Sequence, residues 1–140
     1  MVPSGITGMN QKANMKKLKL KKSRKYLIKK ADKLFSQLIH KRMCCQHCGV
    51  ASKFMDTAHV ISRTNKHLRW NEDNALLLCR RCHLYWQHKS PLEYAIWFQN
   101  KYPIQYGFLT TERNQIEANL AESIEFTIER LQNRLKEYER

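Results

Sequence analysis

From Leu27 to Leu38, apolar residues return at helical intervals. Leu27, Ala31, Leu34, Phe35 and Leu38 share one face, with lysines on the remaining face. The spacing predicts an amphipathic helix over 23–43, with Ser23 as its cap and its stripe turned toward a core. Residues 1–22 carry no comparable period and read as a basic flexible arm. The pattern shortens over 53–61, where Phe54, Met55, Thr57, Val60 and Ile61 suit one arm of a hairpin. Residues 62–74 are polar and turn-rich, with Asn65 and Asn71-Glu72-Asp73-Asn74 as turn chemistry. Ala75-Leu76-Leu77-Leu78 is a short buried run, and a short helix is expected from Cys82 to about Lys89. Ser90-Pro91-Leu92-Glu93 has the form of a capping box with proline at the first helical position. The helix it opens, carrying Tyr94, Trp97 and Phe98, must end by Tyr102-Pro103, because the residue before proline disfavours the α region. Residues 104–140 then read as a loop containing Gly107 and a long helix from Thr111 to Arg140. Ile116, Leu120, Ile124, Ile128, Leu131, Leu135 and Tyr138 form that helix's stripe. Such a stripe packs on the core or against a second subunit, so a homodimer through it is one expectation.

Charge narrows the choice of partner. The 140 residues hold 26 Lys and Arg against 12 Asp and Glu, a formal net charge of +14. This excess points to a polyanion, with nucleic acid first and an acidic membrane surface as the rival. No apolar run approaches the roughly 20 residues that span a bilayer, so a membrane-spanning role is excluded. The run Lys16 to Lys30, including Lys21, Lys22, Arg24 and Lys25, reads as an arm that tracks phosphates. Its bland reading is a solvated tail. The start shows no secretory h-region, so a cytoplasmic location and reduced thiols are expected.

Five cysteines change the picture most. Cys45 and Cys48 form one CxxC pair and Cys79 and Cys82 another, while Cys44 is left over as an expected buried bystander. Two thiols separated by two residues can turn back on one ion, and two such pairs predict a tetrahedral structural Zn²⁺. Four thiolates leave no open coordination position, so this ion staples the fold and does no chemistry. The segment between the pairs is longer than an ordinary zinc-finger loop, and something must be folded inside it. His47, within the first pair, is an alternative zinc ligand. On a strand, Asp56 shares a face with Ala58 two positions later. Arg63, Lys66, Arg69, Arg80 and Arg81 gather around this segment in sequence and suit phosphate oxygens. No recognition helix is evident, so backbone or shape recognition is expected over strict sequence reading.

The residues Cys45-Gln46-His47-Cys48-Gly49, Ala58-His59-Val60-Ile61-Ser62-Arg63, Leu68-Arg69-Trp70-Asn71-Glu72-Asp73-Asn74 and Cys79-Arg80-Arg81-Cys82-His83 together resemble HNH (ββα-metal) endonucleases. With Ala31-Asp32-Lys33-Leu34-Phe35-Ser36 they are most similar to the phage NinG/Rap-like recombination nucleases and related phage HNH proteins. The likeness covers about 31–102. It implies an α+β fold with a small zinc-stapled, treble-clef-like ββα-metal core over 44–103, flanked by N- and C-terminal helices. It also implies a location in the host bacterial cytoplasm.

The resemblance assigns His59 as the general base that takes a proton from water. It makes Asn74 the residue that ties the loop and steadies that base, and His83 a ligand of a catalytic Mg²⁺ or Mn²⁺. Many family members place Asp or His immediately before the base, where this chain has Ala58, and Asp56 is the candidate replacement ligand for the ion. His88, five residues beyond His83, is a further candidate to help hold that ion, but its spacing is not the one-turn i, i+4 placement and it reads foremost as a surface residue; His67 reads as touching DNA or solvent. The leading expectation is therefore a metal-dependent endonuclease hydrolysing DNA, branched or duplex, in recombination, packaging or other DNA processing. The alternatives are a non-catalytic zinc-bound nucleic-acid-binding module and an assembly protein built on the C-terminal helix.

Overall fold

The computed structural model describes residues 6–115 and 123–140, with side chains from residue 23 onward. The fold is α+β. A two-stranded antiparallel sheet, β1 (Met55–His59) and β2 (Ala75–Cys79), lies between two sets of helices. Helix α1 runs from Ile6 to His40, so it begins well before Ser23, within the stretch expected as an arm. The side chains of Lys21 and Lys22 lie outside the described residues.

In the hairpin, Met55 pairs with Cys79 and His59 with Ala75. Alternation along β2 sends Leu76 and Leu78 to one face and Ala75 and Leu77 to the other. Because both faces are covered, all five β2 residues are buried, which is why the run reads as continuously apolar. On one face Ala58, Leu76 and Leu78 pack with Cys45, Cys79, Cys82, Tyr94, Phe98 and Leu109. On the other, Ala75 and Leu77 meet Ala31, Phe35, Leu38 and Ile39 of α1 and Ile128 and Leu131 further along the chain.

The first CxxC pair is docked on the edge of β2. Gln46 N–H donates to the Leu77 carbonyl at 2.8 Å, and Leu77 N–H donates to Gln46 Oε1 at 2.8 Å. Gly49, at φ +80°, closes the turn in a left-handed conformation that a side chain would strain. Its N–H bonds to the Cys45 carbonyl at 2.8 Å.

A π-helix follows over Cys82–Gln87, then α2 (Pro91–Lys101) and α3 (Pro103–Glu112). Proline opens both α-helices, and Pro103 also closes α2, as Tyr102-Pro103 requires. Ser90 makes no side-chain capping bond, so the expected capping box is not formed. Gly107 lies inside α3, where a loop was expected.

The long C-terminal helix is also corrected. The chain turns at Arg113 and Asn114, and α4 (Ile124–Glu137) starts anew at Ser123, whose side chain accepts from Phe126 N–H. Ile116 and Leu120 lie outside the described residues. Ile128 and Leu131 are buried and Ile124 and Leu135 partly buried against the α1 core, so this part of the stripe packs within the chain. No helix among the described residues is long and apolar enough to cross a membrane.

Candidate functional site

The two CxxC turns bring four sulfurs together. The Sγ atoms of Cys45, Cys48, Cys79 and Cys82 all lie within 4.8 Å of one another, with Cys48 and Cys79 at 3.7 Å. Sulfurs about 2.3 Å from a tetrahedral zinc lie about 3.8 Å apart, so the set fits such an ion. Burial opposes ionisation of the Cys45 thiol, yet backbone hydrogen bonds from Cys48, Cys79 and His47 bring it down to about 7. Burial, together with the neighbouring thiols, pushes Cys82 strongly upward. A bound cation reverses that penalty and lets all four sulfurs ligate as thiolates. His47 is not one of the four. Its Nδ1 lies 3.2 Å from Cys82 Sγ, and its ring stacks on Trp86 at 3.6 Å between centroids. Cys44, expected to be buried, is exposed and outside the cluster.

Beside this centre is an open cleft of about 1160 Å³, whose lining includes Asp56, His59, Arg63, Arg80, His83 and His88. His59 stands at the end of β1, half-buried, with its ring 5.6 Å from that of Phe35. Its Nε2 is 2.9 Å from the Arg69 carbonyl oxygen. A carbonyl can only accept, so Nε2 carries the proton, and the neutral ring keeps its lone pair at Nδ1. Burial lowers the imidazole's affinity for a second proton, the Arg69 carbonyl raises it, and the Arg63 charge lowers it again, with a net downward shift. The ring is thus held neutral near pH 7 with one basic nitrogen available.

The carbonyl that fixes this tautomer is itself held. Asn74 is fully buried. Its Oδ1 accepts from Ile61 N–H at 2.7 Å, and its Nδ2 donates to the carbonyls of Ile61 and Leu68, each at 3.0 Å. One amide therefore closes the 61–68 excursion and delivers the chain to Arg69. From the other side, Asp32 of α1 accepts from Arg69 Nε and Nη2 at 3.0 and 2.7 Å and from Trp70 Nε1 at 2.9 Å. The Arg69 fork, expected to face phosphate, is engaged by this carboxylate. Sequence reasoning did not single out Asp32 as a functional residue.

His83 sits on the first turn of the π-helix. Its Nδ1 is 3.0 Å from Asp56 Oδ2, and Arg80 Nη2 is 3.6 Å from Asp56 Oδ1. Asp56 and His83 thus meet, as the strand parity suggested, but through a direct hydrogen bond. Ala58, on the same strand face as Asp56, is fully buried in the core. His88 is exposed, as expected, and its Nε2 is hydrogen-bonded to His83 Nε2 at 3.2 Å.

Of the other expected phosphate contacts, Arg24, Lys25, Arg63, Lys66, Arg80 and Arg81 are exposed. Arg63 and Arg80 rim the cleft, whereas Lys66 lies in a second depression with Arg42, Trp70 and Arg134. His67 is paired with Glu112 at 2.8 Å, tying the excursion to α3. No model of a known family, no curated protein and no solved structure matches this chain.

Proposed function

We propose that the protein is a metal-dependent endonuclease of the HNH type, hydrolysing phosphodiester bonds of DNA, with a zinc ion in the four-cysteine centre as a structural staple. The observation that carries this reading is His59: a neutral imidazole locked by the Arg69 carbonyl, with free Nδ1, in the same cleft as the Asp56–His83 pair.

The chemistry follows from those groups. A water in the cleft gives its proton to His59 Nδ1 as its oxygen attacks phosphorus; the P–O ester bond opposite breaks, its oxygen leaves and takes a proton from solvent, and the resulting imidazolium keeps its Nε2–H on the Arg69 carbonyl. That oxygen stabilises the charge and prevents the ring from turning. His83 would be the residue to hold a Mg²⁺ or Mn²⁺ ion, which would supply Lewis-acid stabilisation of the charge that builds up as the ester is cleaved. Arg63 and Arg80 hold neighbouring phosphates, while Arg24 and Lys25 on α1 extend the positive surface. Asn74 and Asp32 are positioning residues that act through the 61–70 backbone. Nothing in these contacts reads bases, so recognition rests on backbone and shape, including branched DNA.

The direct test is nicking of supercoiled plasmid by the zinc-loaded protein with Mg²⁺ or Mn²⁺. His59→Ala should slow nicking by at least about 100-fold while leaving DNA affinity within about twofold. Equal nicking by both proteins removes His59 from its role. The buried methyl of Ala58 gives a second reading some support, since no carboxylate can stand there to hold an ion. On that reading the protein is a zinc-bound nucleic-acid-binding module, and it should bind DNA without cutting it across substrates and divalent ions.

A further inference from the structure

Each CxxC turn donates a backbone hydrogen bond to its own first sulfur. Cys48 N–H reaches Cys45 Sγ and Cys82 N–H reaches Cys79 Sγ, each at 3.5 Å. The second sulfurs are served differently. Cys48 accepts from the Val50 backbone, just beyond the first turn. The second turn runs instead into the π-helix that begins at Cys82. Among the described residues, the nitrogen donor to Cys82 is a side chain, His47, whose Nδ1 lies 3.2 Å from Cys82 Sγ.

The imidazole is held in that direction across its face and along its edge. It stacks on Trp86 with centroids 3.6 Å apart and planes 15° apart, and Trp97 meets it edge-on at 5.1 Å. Trp86 belongs to the π-helix and His47 to the first CxxC turn, so one ring joins the two halves of the sulfur centre. A thiolate bound to a cation has lone pairs and no proton, so in this contact the sulfur accepts and Nδ1 donates. The ring can do so whether neutral or charged, and the contact does not depend on its titration.

We propose that His47 is a positioning residue of the four-cysteine centre, its Nδ1–H donating to the Cys82 thiolate while its ring rests on Trp86. A side chain thereby does for Cys82 what backbone N–H groups do for the other three sulfurs. A donor on a ligating sulfur draws charge from it, makes it a weaker nucleophile and fixes its orientation toward the cation. This inference rests on a metal ion being held by the four sulfurs; it is independent of the endonuclease reading.

The test uses the full chain loaded with Co²⁺, whose sulfur-to-metal charge-transfer absorption reports on the thiolates. Two variants separate the donor from the ring. His47→Phe keeps a ring for Trp86 but has no N–H. His47→Asn places an amide N–H near the Nδ1 position but has no ring to stack. His47→Phe should move the charge-transfer band to longer wavelength and lower Zn²⁺ affinity, measured by chelator competition, at least about tenfold. His47→Asn should keep the band near its wild-type position and recover most of the affinity. A His47→Phe band at the wild-type wavelength, or equal displacement in both variants, overturns the proposal, the second result leaving His47 as a packing ring. If the wild type gives a four-thiolate Co²⁺ spectrum in those cases, the sulfur centre stands and only the role of His47 falls. A wild type that gives no such spectrum sinks the centre itself, and this inference with it.

Discussion

His59 is defined less by its ring than by what its ring cannot do. Its Nε2 is committed to a backbone oxygen, and burial disfavours a second proton, so Nδ1 is the sole exchangeable position. The sign of the resulting pH dependence is fixed. Between the depressed folded pKa and about 6.5, the unfolded chain binds more protons at this histidine than the folded one. Stability from this group is therefore fully present above about pH 6.5 and is lost as pH falls through the folded pKa. Urea midpoints of the zinc-loaded protein from pH 7.5 to 5 should decline more steeply for wild type than for His59→Asn, thiolate protonation being common to both. Parallel slopes would contradict a depressed histidine. Asn74 carries a different load. Truncating it to alanine leaves the N–H and carbonyl of Ile61 without partners, and the Leu68 carbonyl with only Asn71 N–H, a loss of about 2–4 kcal/mol. Chemical denaturation measures that loss. Asn74→Asp should be no rescue, because a carboxylate keeps the acceptor but supplies neither donor.

At the scale of elements, the chain was legible wherever one local pattern governs one structure. The CxxC pairs predicted the sulfur cluster, the apolar run Ala75–Leu78 predicted β2, and Pro103 marked the end of α2, though not the start of α3, where a loop was expected. What the sequence hid was set by partners far along the chain or by departures from the α period. Asp32 looks like one charge among lysines on α1, yet it clamps Arg69 and Trp70, which are 37 and 38 positions away. The π-winding is invisible to a 3.6-residue period, so the five-residue spacing of His83 and His88 did not read as one turn. The break before α4 was missed because Ile116 through Tyr138 keep helical spacing straight across it; Ser123, a good cap two residues before Glu125, was the available signal. The Asp32 clamp carries its own prediction. Asp32→Ala frees three charge-assisted donors' worth of contact and should cost about 1.5–3 kcal/mol. Because it loosens the turn that carries the Arg69 carbonyl, it should also lower the nicking turnover more than it weakens DNA binding. A variant that loses stability while keeping wild-type turnover would reduce Asp32 to a structural pin.

Across the whole molecule, the hairpin separates two cores, of which only one includes the cysteine cluster. One contains three of the four clustered cysteines along with Tyr94, Phe98 and Leu109, and Trp86 and Trp97 pack against its edge. The other joins α1 and α4 over Ala75 and Leu77, with Trp70 against it and no cysteine among its described residues. Without a cation, the first core would have to bury thiols whose ionisation is mutually opposed; with one, ligation free energy becomes folding free energy, on the order of 10 kcal/mol in zinc-finger peptides. Chelation should therefore act unevenly. The indole rings of Trp86 and Trp97 meet each other and His47 at 3.6–5.1 Å between centroids, and His47 is carried by the first CxxC turn. Removing zinc should abolish the near-ultraviolet circular dichroism of that cluster, while far-ultraviolet helicity falls less, because the α1–α4 face does not depend on the sulfurs. Re-adding one equivalent of Zn²⁺ should restore both signals, and Cys79→Ala should prevent the restoration. A near-ultraviolet spectrum indifferent to zinc would mean that apolar packing alone holds the cleft, and that the four sulfurs do not staple the wall on which His83 stands.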